Sequence, residues 1–324
     1  MALHLVTGIA GFIGSALAHA LLERGEQVRG IDNFSTGKAA NVAGIRSRIE
    51  LIEADLNDPA AAAEACRGAH YVLHQAAIPS VPRSVADPLE SNRANVDGTL
   101  GLLMAARDAK VKRVVYASSS SVYGDTPTLP KREDMIPSPI SPYAVSKLAG
   151  EYYMTSFYRV YGLETVSLRY FNVFGPRQDP TSQYSGVLAK FISSMLRGEQ
   201  PTIYGDGEQS RDFAFVDNVV NANLRVCAAP AEQVVGRAFN AATGRRVTLN
   251  QTFSVLQKLT GYHGQPYFGC ERTGDIKHSH ADVSRLEAAV GYTPRIAFEE
   301  GLRLTVEWYR KQAAAAERQP NMMA

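Results

Sequence analysis

The chain holds 324 residues, 45% of them hydrophobic, with 34 Lys and Arg against 32 Asp and Glu, a formal net charge of +2. Near-balanced charge gives no global basic field for nucleic acid, and no apolar run is long enough to cross a membrane. The length suits a large sheet core with a smaller second lobe, and any anionic ligand must be held by local arginines.

From the N-terminus, Leu3 to Val6 reads as a buried strand. Thr7-Gly8-Ile9-Ala10-Gly11-Phe12-Ile13-Gly14 follows and opens an apolar-periodic helix over 12–24. Strand, glycine loop and helix form the context a dinucleotide-binding fingerprint requires. Gly8 allows the turn, Gly11 lets backbone approach a pyrophosphate, and Gly14 packs the helix on the sheet. The helix start at Phe12 and Ile13 offers amides and positive dipole to phosphates. The lack of a basic leading segment argues against a signal peptide, although Ala18-His19-Ala20 imitates a cleavage site. The next strand, 27–31, ends at Asp32-Asn33. A carboxylate at Asp32 would bind the adenosine ribose hydroxyls and repel a 2′-phosphate, so NAD is expected over NADP.

Further strands are predicted over 49–53, 70–74, 112–118 and 165–170, and helices over 59–66, 89–108 and 142–161. The alternation predicts an α/β, doubly wound parallel sheet of Rossmann type, with active residues at the carboxyl ends of the strands. Asp55-Leu56 lies past one strand, placed for an adenine contact. His74-Gln75-Ala76-Ala77 lies past the next, where Ala76 and Ala77 let a cofactor lie close, and Asn95 completes the expected cofactor set. The loop Pro79-Ser80-Val81-Pro82-Arg83-Ser84 is stiffened by its prolines and reads either as facing the same cleft or as a rigid surface turn. Cys66, Cys227 and Cys270 are odd in number with no metal spacing, which reads as buried reduced thiols in a cytoplasmic protein.

Beyond residue 175 the alternation fades into a smaller mixed α/β lobe. Tyr204-Gly205-Asp206-Gly207 reads as a hairpin, a helix is predicted around 216–228, and Ala238 to Ala241 reads as a strand returning to the large sheet. His278 and His280 read as strand residues rather than metal ligands, and no metal is expected. The expected NAD-binding domain is 1–175 with the return segment 214–243. A substrate lobe is expected over 176–213 and 244–312, with a last helix at 298–311 and a disordered tail over 313–324.

The chemistry is concentrated in two segments. Ala117-Ser118-Ser119-Ser120-Ser121 closes a strand, and Tyr143-Ala144-Val145-Ser146-Lys147 lies on the helix over 142–161. Four residues apart, Tyr143 and Lys147 share a helix face, and a nearby ammonium favours the phenolate. Tyr143 is then a base for an alcohol proton, Lys147 its assistant and a nicotinamide-ribose ligand, and Ser119 the group orienting the substrate oxygen.

Over nearly its full length the chain resembles the extended short-chain dehydrogenase/reductase family, and within it the nucleotide-sugar 4-epimerases. The matching residues are the Thr7–Gly14 loop, Asp32, Asp55-Leu56, Ser119, Tyr143 and Lys147, Tyr170-Phe171-Asn172-Val173-Phe174-Gly175, Arg211-Asp212-Phe213 and Arg272-Thr273-Gly274-Asp275. Ser80-Val81-Pro82-Arg83-Ser84, Arg177-Gln178-Asp179-Pro180 and the His278-Ser279 context make it most similar to bacterial UDP-N-acetylglucosamine 4-epimerases. The resemblance implies NAD as cofactor and inversion of carbon 4 of a UDP-hexose through a transient 4-keto sugar. It also implies a homodimer built on helices 89–108 and 142–161. By the same resemblance Asn172, Arg211 and Arg272 hold the UDP moiety, and Ser80, Arg83, Ser120, Ser121, Gln178, Asp275 and Ser279 complete the substrate set. Family dehydratases and decarboxylases place carboxylates beside the catalytic serine or threonine, and here those positions are Ser120 and Ser121. A serine at 279 leaves room for an N-acetyl group where a tyrosine crowds it, which favours UDP-GlcNAc and UDP-GalNAc over UDP-glucose/UDP-galactose or UDP-glucuronate. A reductase fits Asp32 poorly. A non-catalytic NAD sensor would have no need of a base.

Overall fold

A computed structural model describes residues 1–180, 186–271 and 276–318. Its first half alternates strands β1 (Leu3–Thr7), β2 (Gln27–Asp32), β3 (Glu50–Glu53), β4 (Tyr71–His74), β5 (Arg113–Ser119) and β6 (Glu164–Tyr170) with helices. The helices are α1 (Phe12–Glu23), α2 (Pro59–Cys66), α3 (Val81–Ala86), α4 (Pro88–Asn92), α5 (Gly98–Asp108) and α6 (Pro142–Tyr161). The second half holds β7 (Asn172–Phe174), α7 (Val187–Leu196), β8 (Thr202–Tyr204), β9 (Ser210–Arg211), β10 (Phe213–Phe215), α8 (Val216–Ala228), α9 (Ala231–Val234) and β11 (Arg237–Ala241). It closes with β12 (Val247–Thr248), α10 (Leu249–Thr260), β13 (Tyr267–Gly269), α11 (Ser284–Val290) and α12 (Phe298–Arg318).

Seven strands form one sheet in the order β11-β6-β5-β4-β1-β2-β3, and every pairing in it is parallel. The doubly wound sheet expected from the alternation is present, with its return strand. The strand order reverses between β1 and β4, the place where such sheets bind ligands. One face packs Ala62, Leu102, Leu103, Met154 and Phe157 of α2, α5 and α6. The other packs Leu17 and Leu21 of α1 and Val219 and Leu224 of α8, in a core that continues through α7, α10 and α12. Local chemistry sets the helix starts. Asp58 accepts from the Ala60 amide ahead of α2, and Ser141 from the Ala144 amide ahead of α6, each followed by a proline at the first helical position. Gly162 ends α6 in the left-handed conformation at φ 70°.

A buried carboxylate between β9 and β10 gathers the segment after β11 and Ala281. Asp212 accepts from the Thr243 amide and hydroxyl, the Gly244 amide and the Ala281 amide. These donors satisfy a charge whose burial raises its pKa.

The helix expected over 89–108 is present from Pro88 to Asp108 and carries a π-helical turn at Arg93–Asp97, where the Asn95 side chain bonds the backbone of Ile78. Three expectations are corrected. Gly205 and Gly207 do turn the chain, at φ 78° and 77°, but no hairpin results. β8 pairs with β13 and β9 with β12, so later segments supply the strand partners. The last helix runs through Arg318, because the alanine run Ala313 to Ala316 has the strongest intrinsic helix preference. Cys66 and Cys227 are buried free thiols as expected, whereas Cys270 is exposed.

Candidate active site

The carboxyl ends of β1, β2, β4 and β5 open into one cavity of about 790 Å³ that runs from Asp32 and Asp55 to Tyr143 and Lys147. That size is within the usual range for a small-molecule or cofactor site. At one end the glycine loop leaves no room for side chains. A Cβ on Gly14 would stand 2.1 Å from the Gly8 carbonyl oxygen, and one on Gly8 would stand 2.8 Å from the Ala76 backbone. Gly8 also has φ +64°, which favours glycine. Gly11, Phe12 and Ile13 line the wall at the start of α1.

Asp32 Oδ2 accepts from the Ala10 amide and Oδ1 from the Phe34 amide, both at 2.8 Å, and each oxygen keeps a lone pair for a further donor. Asp55 accepts from the Asn57 amide and from the side chains of Asn57 and Asn33, and these bonds hold its pKa below the usual carboxylate value. Leu56, Ala76 and Ala77 line the cavity between.

The end of β4 is locked to β1 by a buried relay. The Thr99 hydroxyl donates to the Asn95 carbonyl at 2.6 Å and therefore accepts from His74 Nε2 at 2.9 Å. His74 Nδ1 then accepts from Thr7 Oγ1 at 2.8 Å, and that oxygen takes the Gln75 and Ala76 amides. Burial pushes the His74 pKa down to about 3, with the Lys147 charge a smaller cause, so the ring stays neutral. Gln75 lines the cavity, and its Nε2 is buried with no hydrogen-bond partner among the described residues.

At the other end stand Ser119, Tyr143 and Lys147, all on the wall. Ser119 stands beside the Tyr143 phenol and accepts from the Ser121 amide at 3.1 Å. Lys147 Nζ donates to the Ala117 carbonyl at 2.9 Å and lies 6.0 Å from the Tyr143 ring centroid. Burial lowers the Lys147 pKa from 10.5 to about 7 and raises that of Tyr143 above 10.0, while the neighbouring Ser119 hydroxyl pulls Tyr143 back down. The expected assistance of Tyr143 by the Lys147 ammonium is therefore opposed in the protein alone by desolvation of both groups. A positive charge entering the pocket shifts the balance toward phenolate.

The expected substrate residues divide. Gln178 lies on the cavity wall, and its carbonyl accepts from the Tyr309 hydroxyl at 2.5 Å. Ser80 caps α3 through the Arg83 amide, and Arg83 makes a bidentate pair with Glu90 at 2.7 and 3.1 Å. The proline-stiffened loop is thus a short capped helix. Ser120 and Ser121 form a 3₁₀ turn behind Ser119. Asn95 lies behind the wall, holding Ile78 and Ser146. Asn172 pairs with Phe213 between β7 and β10. Arg211 Nη1 donates to the Ser210 and Lys277 carbonyls, and the Ser279 amide donates to Ser210. None of these eight residues is among those lining the described cavity. Arg272 and Asp275 lie outside the described residues. His278 and His280 make ordinary bonds, to Ser210 Oγ and the Gly244 carbonyl.

Sequence reasoning missed three features. Ser84 Oγ accepts from the Tyr143 amide at 3.0 Å and so pins the start of the catalytic helix. Lys38 and Asp179, both on the wall, form an ion pair at 2.8 Å across the cavity mouth. Gln75 supplies the buried donor already described. The two contacts join segments at least 59 residues apart, beyond the reach of local pattern.

The family model for the NAD dependent epimerase/dehydratase family matches residues 4–242. The chain belongs to that family. This family member is 39% identical over 313 residues to the UDP-glucose 4-epimerase of Mycolicibacterium smegmatis, covering 95% of this chain and 99% of that one. Its fold matches UDP-glucose 4-epimerase of Thermotoga maritima, solved with UDP-glucose, at TM-score 0.91 and 39% identity, covering 96% and 99% of the two chains. It matches UDP-N-acetylglucosamine 4-epimerase of Methanobrevibacter ruminantium, solved with UDP-N-acetylmuramic acid, at TM-score 0.90 and 43% identity, covering 95% and 98%. The glycine cradle and the two lone pairs of Asp32 fit NAD. Denaturing the purified enzyme is expected to release NAD in near-stoichiometric amount, measured by enzymatic cycling. Release of mainly NADP would contradict the role given to Asp32.

Proposed function

We propose that this NAD-dependent enzyme inverts carbon 4 of a UDP-hexose, and that its substrates are UDP-GlcNAc and UDP-GalNAc. The observation that supports the reaction most is the meeting of Ser119, Tyr143 and Lys147 at one end of a cavity whose other end suits a dinucleotide. Ser119 orients the sugar 4-hydroxyl, and Tyr143 takes its proton and later returns one to the 4-keto oxygen. Lys147 holds positive charge beneath the phenol and offers donors to the nicotinamide ribose. Bound NAD supplies the redox chemistry at carbon 4 and a positive charge that favours the Tyr143 phenolate. The 4-keto sugar must turn over in the pocket while the diphosphate stays anchored, a use of remote binding energy that leaves the ring free.

Expulsion of water or carbon dioxide would call for an acid beside Ser119. The carboxylates on the described wall are committed elsewhere: Asp32 and Asp55 at the adenosine end, Glu90 to Arg83 and Asp179 to Lys38. That arrangement favours epimerisation over the family's other outcomes.

The acetylated substrate rests on the family resemblance at Ser279, a residue outside the described cavity lining, and the 43% identity to a UDP-N-acetylglucosamine 4-epimerase supports it. Ser279→Tyr is expected to abolish turnover of UDP-GlcNAc by steric overlap while sparing UDP-glucose, followed by coupled assay of both sugars. Unchanged UDP-GlcNAc turnover in the folded variant would remove the basis for the acetylated substrate. UDP-glucose is expected to react more weakly in the wild type yet not to be excluded, because a roomy pocket rejects a smaller sugar poorly.

A homodimer accompanies this reading. Leu89, Met104, Val145, Tyr152, Val160 and Tyr161 expose apolar side chains on α4, α5 and α6, with Leu89 81% and Tyr152 62% accessible in the single chain. A second copy packing on this face would cover them. Sedimentation is expected to give a dimer, and Tyr152→Asp a monomer; a monomeric wild type would contradict the assignment.

A further inference from the structure

Glu151, a buried acid that the proposed chemistry does not use, lies on α6 one turn beyond Lys147 and two beyond Tyr143. Its Oε1 accepts from the Ser118 hydroxyl at 2.5 Å and from Arg169 Nε at 2.9 Å, and its Oε2 from Arg169 Nη2 at 2.7 Å. Ser118 and Arg169 are register partners on β5 and β6, so one carboxylate clamps α6 to two adjacent strands at once. All three residues are buried, at 3–5% exposure. Arg169 is held in turn, donating from Nη1 to the Tyr123 hydroxyl at 3.0 Å, which donates to Asn240 at 2.6 Å.

The clamp stands where it governs the reacting groups. Ser118 immediately precedes Ser119, and Ala117, on its other side, receives the Lys147 ammonium. The helix bearing Tyr143 and Lys147 and the strand bearing Ser119 are thus joined at two successive residues of β5. A sliding or rotation of α6 that would part Tyr143 from Ser119 must first break the bond between Ser118 and Glu151. We infer that Ser118 and Glu151 are positioning residues, whose buried contact fixes α6 along β5 and so sets the spacing of Ser119, Tyr143 and Lys147. Neither touches the reacting atoms in this account. The inference rests on the epimerase reading.

Ser118→Ala is the sharpest test, since it removes one hydroxyl and leaves the ion pair of Glu151 with Arg169 intact. In the holoenzyme, kcat per bound NAD is expected to fall about tenfold with KM and NAD content held to within about twofold, as small misplacements of catalytic groups do. Ser118→Thr keeps the hydroxyl and is expected to recover kcat to within about twofold of wild type on the same scale. A purely structural role would lower melting temperature and holoenzyme yield without moving kcat per bound NAD. Wild-type kcat in Ser118→Ala, or equal damage in Ser118→Thr, overturns the inference. If Ser118→Ala does not fold, Ser118→Cys keeps the volume with a weaker donor and is expected to fall between, and wild-type kcat there overturns the inference equally. A wild-type enzyme silent on every UDP-hexose brings down the functional reading instead, and this inference with it.

Discussion

Tyr143→Phe is expected to lower turnover by about 10²–10⁴-fold, the contribution typical of a positioned general base. The half-buried phenol lines the cavity beside Ser119, and its ring lies near Lys147, so loss of one oxygen removes the proton acceptor and little packing. UDP-sugar affinity and NAD content are expected to stay within about threefold of wild type, because remote groups hold both. Steady-state turnover with equilibrium binding separates the two effects. Wild-type turnover in Tyr143→Phe would mean that another group takes the proton.

Lys147→Met is expected to cost about 10²–10³-fold in turnover, the usual loss when one charge-stabilising donor leaves a preorganised site. It also has a signature in stability. Burial lowers the Lys147 pKa from 10.5 to about 7, so between these values the unfolded chain binds a proton that the folded protein does not. Stability of the cofactor-stripped wild type therefore rises with pH through that window, by about 2 kcal/mol between pH 7 and 8.5 at about 1.36 kcal/mol per unit. Below pH 7 both states hold the proton and the cost of burying the charge is fully present. The variant loses this slope. Urea denaturation of both proteins at the two pH values measures it, and parallel slopes would contradict a desolvated Lys147.

The glycine loop, Asp32 and the Tyr143 and Lys147 pair were legible because each is a local pattern whose spacing carries its physical reason. Gly8 and Gly14 stand where no Cβ fits, and the sheet was readable from alternating apolar runs. Ser80 and Arg83 show the opposite case. Their motif is local, yet the cap and the ion pair with Glu90 take up their polar groups. Asn95 was expected to touch cofactor, but a π-turn aims it at Ile78, a backbone detail with no signal in side-chain periodicity. The turn at Gly205 and Gly207 was legible, whereas the partners of β8 and β9 were not, since they arrive from residues 247–269. Contacts such as Tyr143 with Ser84 and Lys38 with Asp179 exist only once the chain has folded.

The most direct measurement mixes the purified enzyme with UDP-GlcNAc, UDP-glucose and UDP-glucuronate separately, without added cofactor, and follows the anomeric proton NMR signals. The account predicts conversion of UDP-GlcNAc to an equilibrium mixture with UDP-GalNAc, slower conversion of UDP-glucose, and no loss of water or carbon dioxide. A 4-keto-6-deoxy or decarboxylated product, or no change in any of the three sugars, would contradict it.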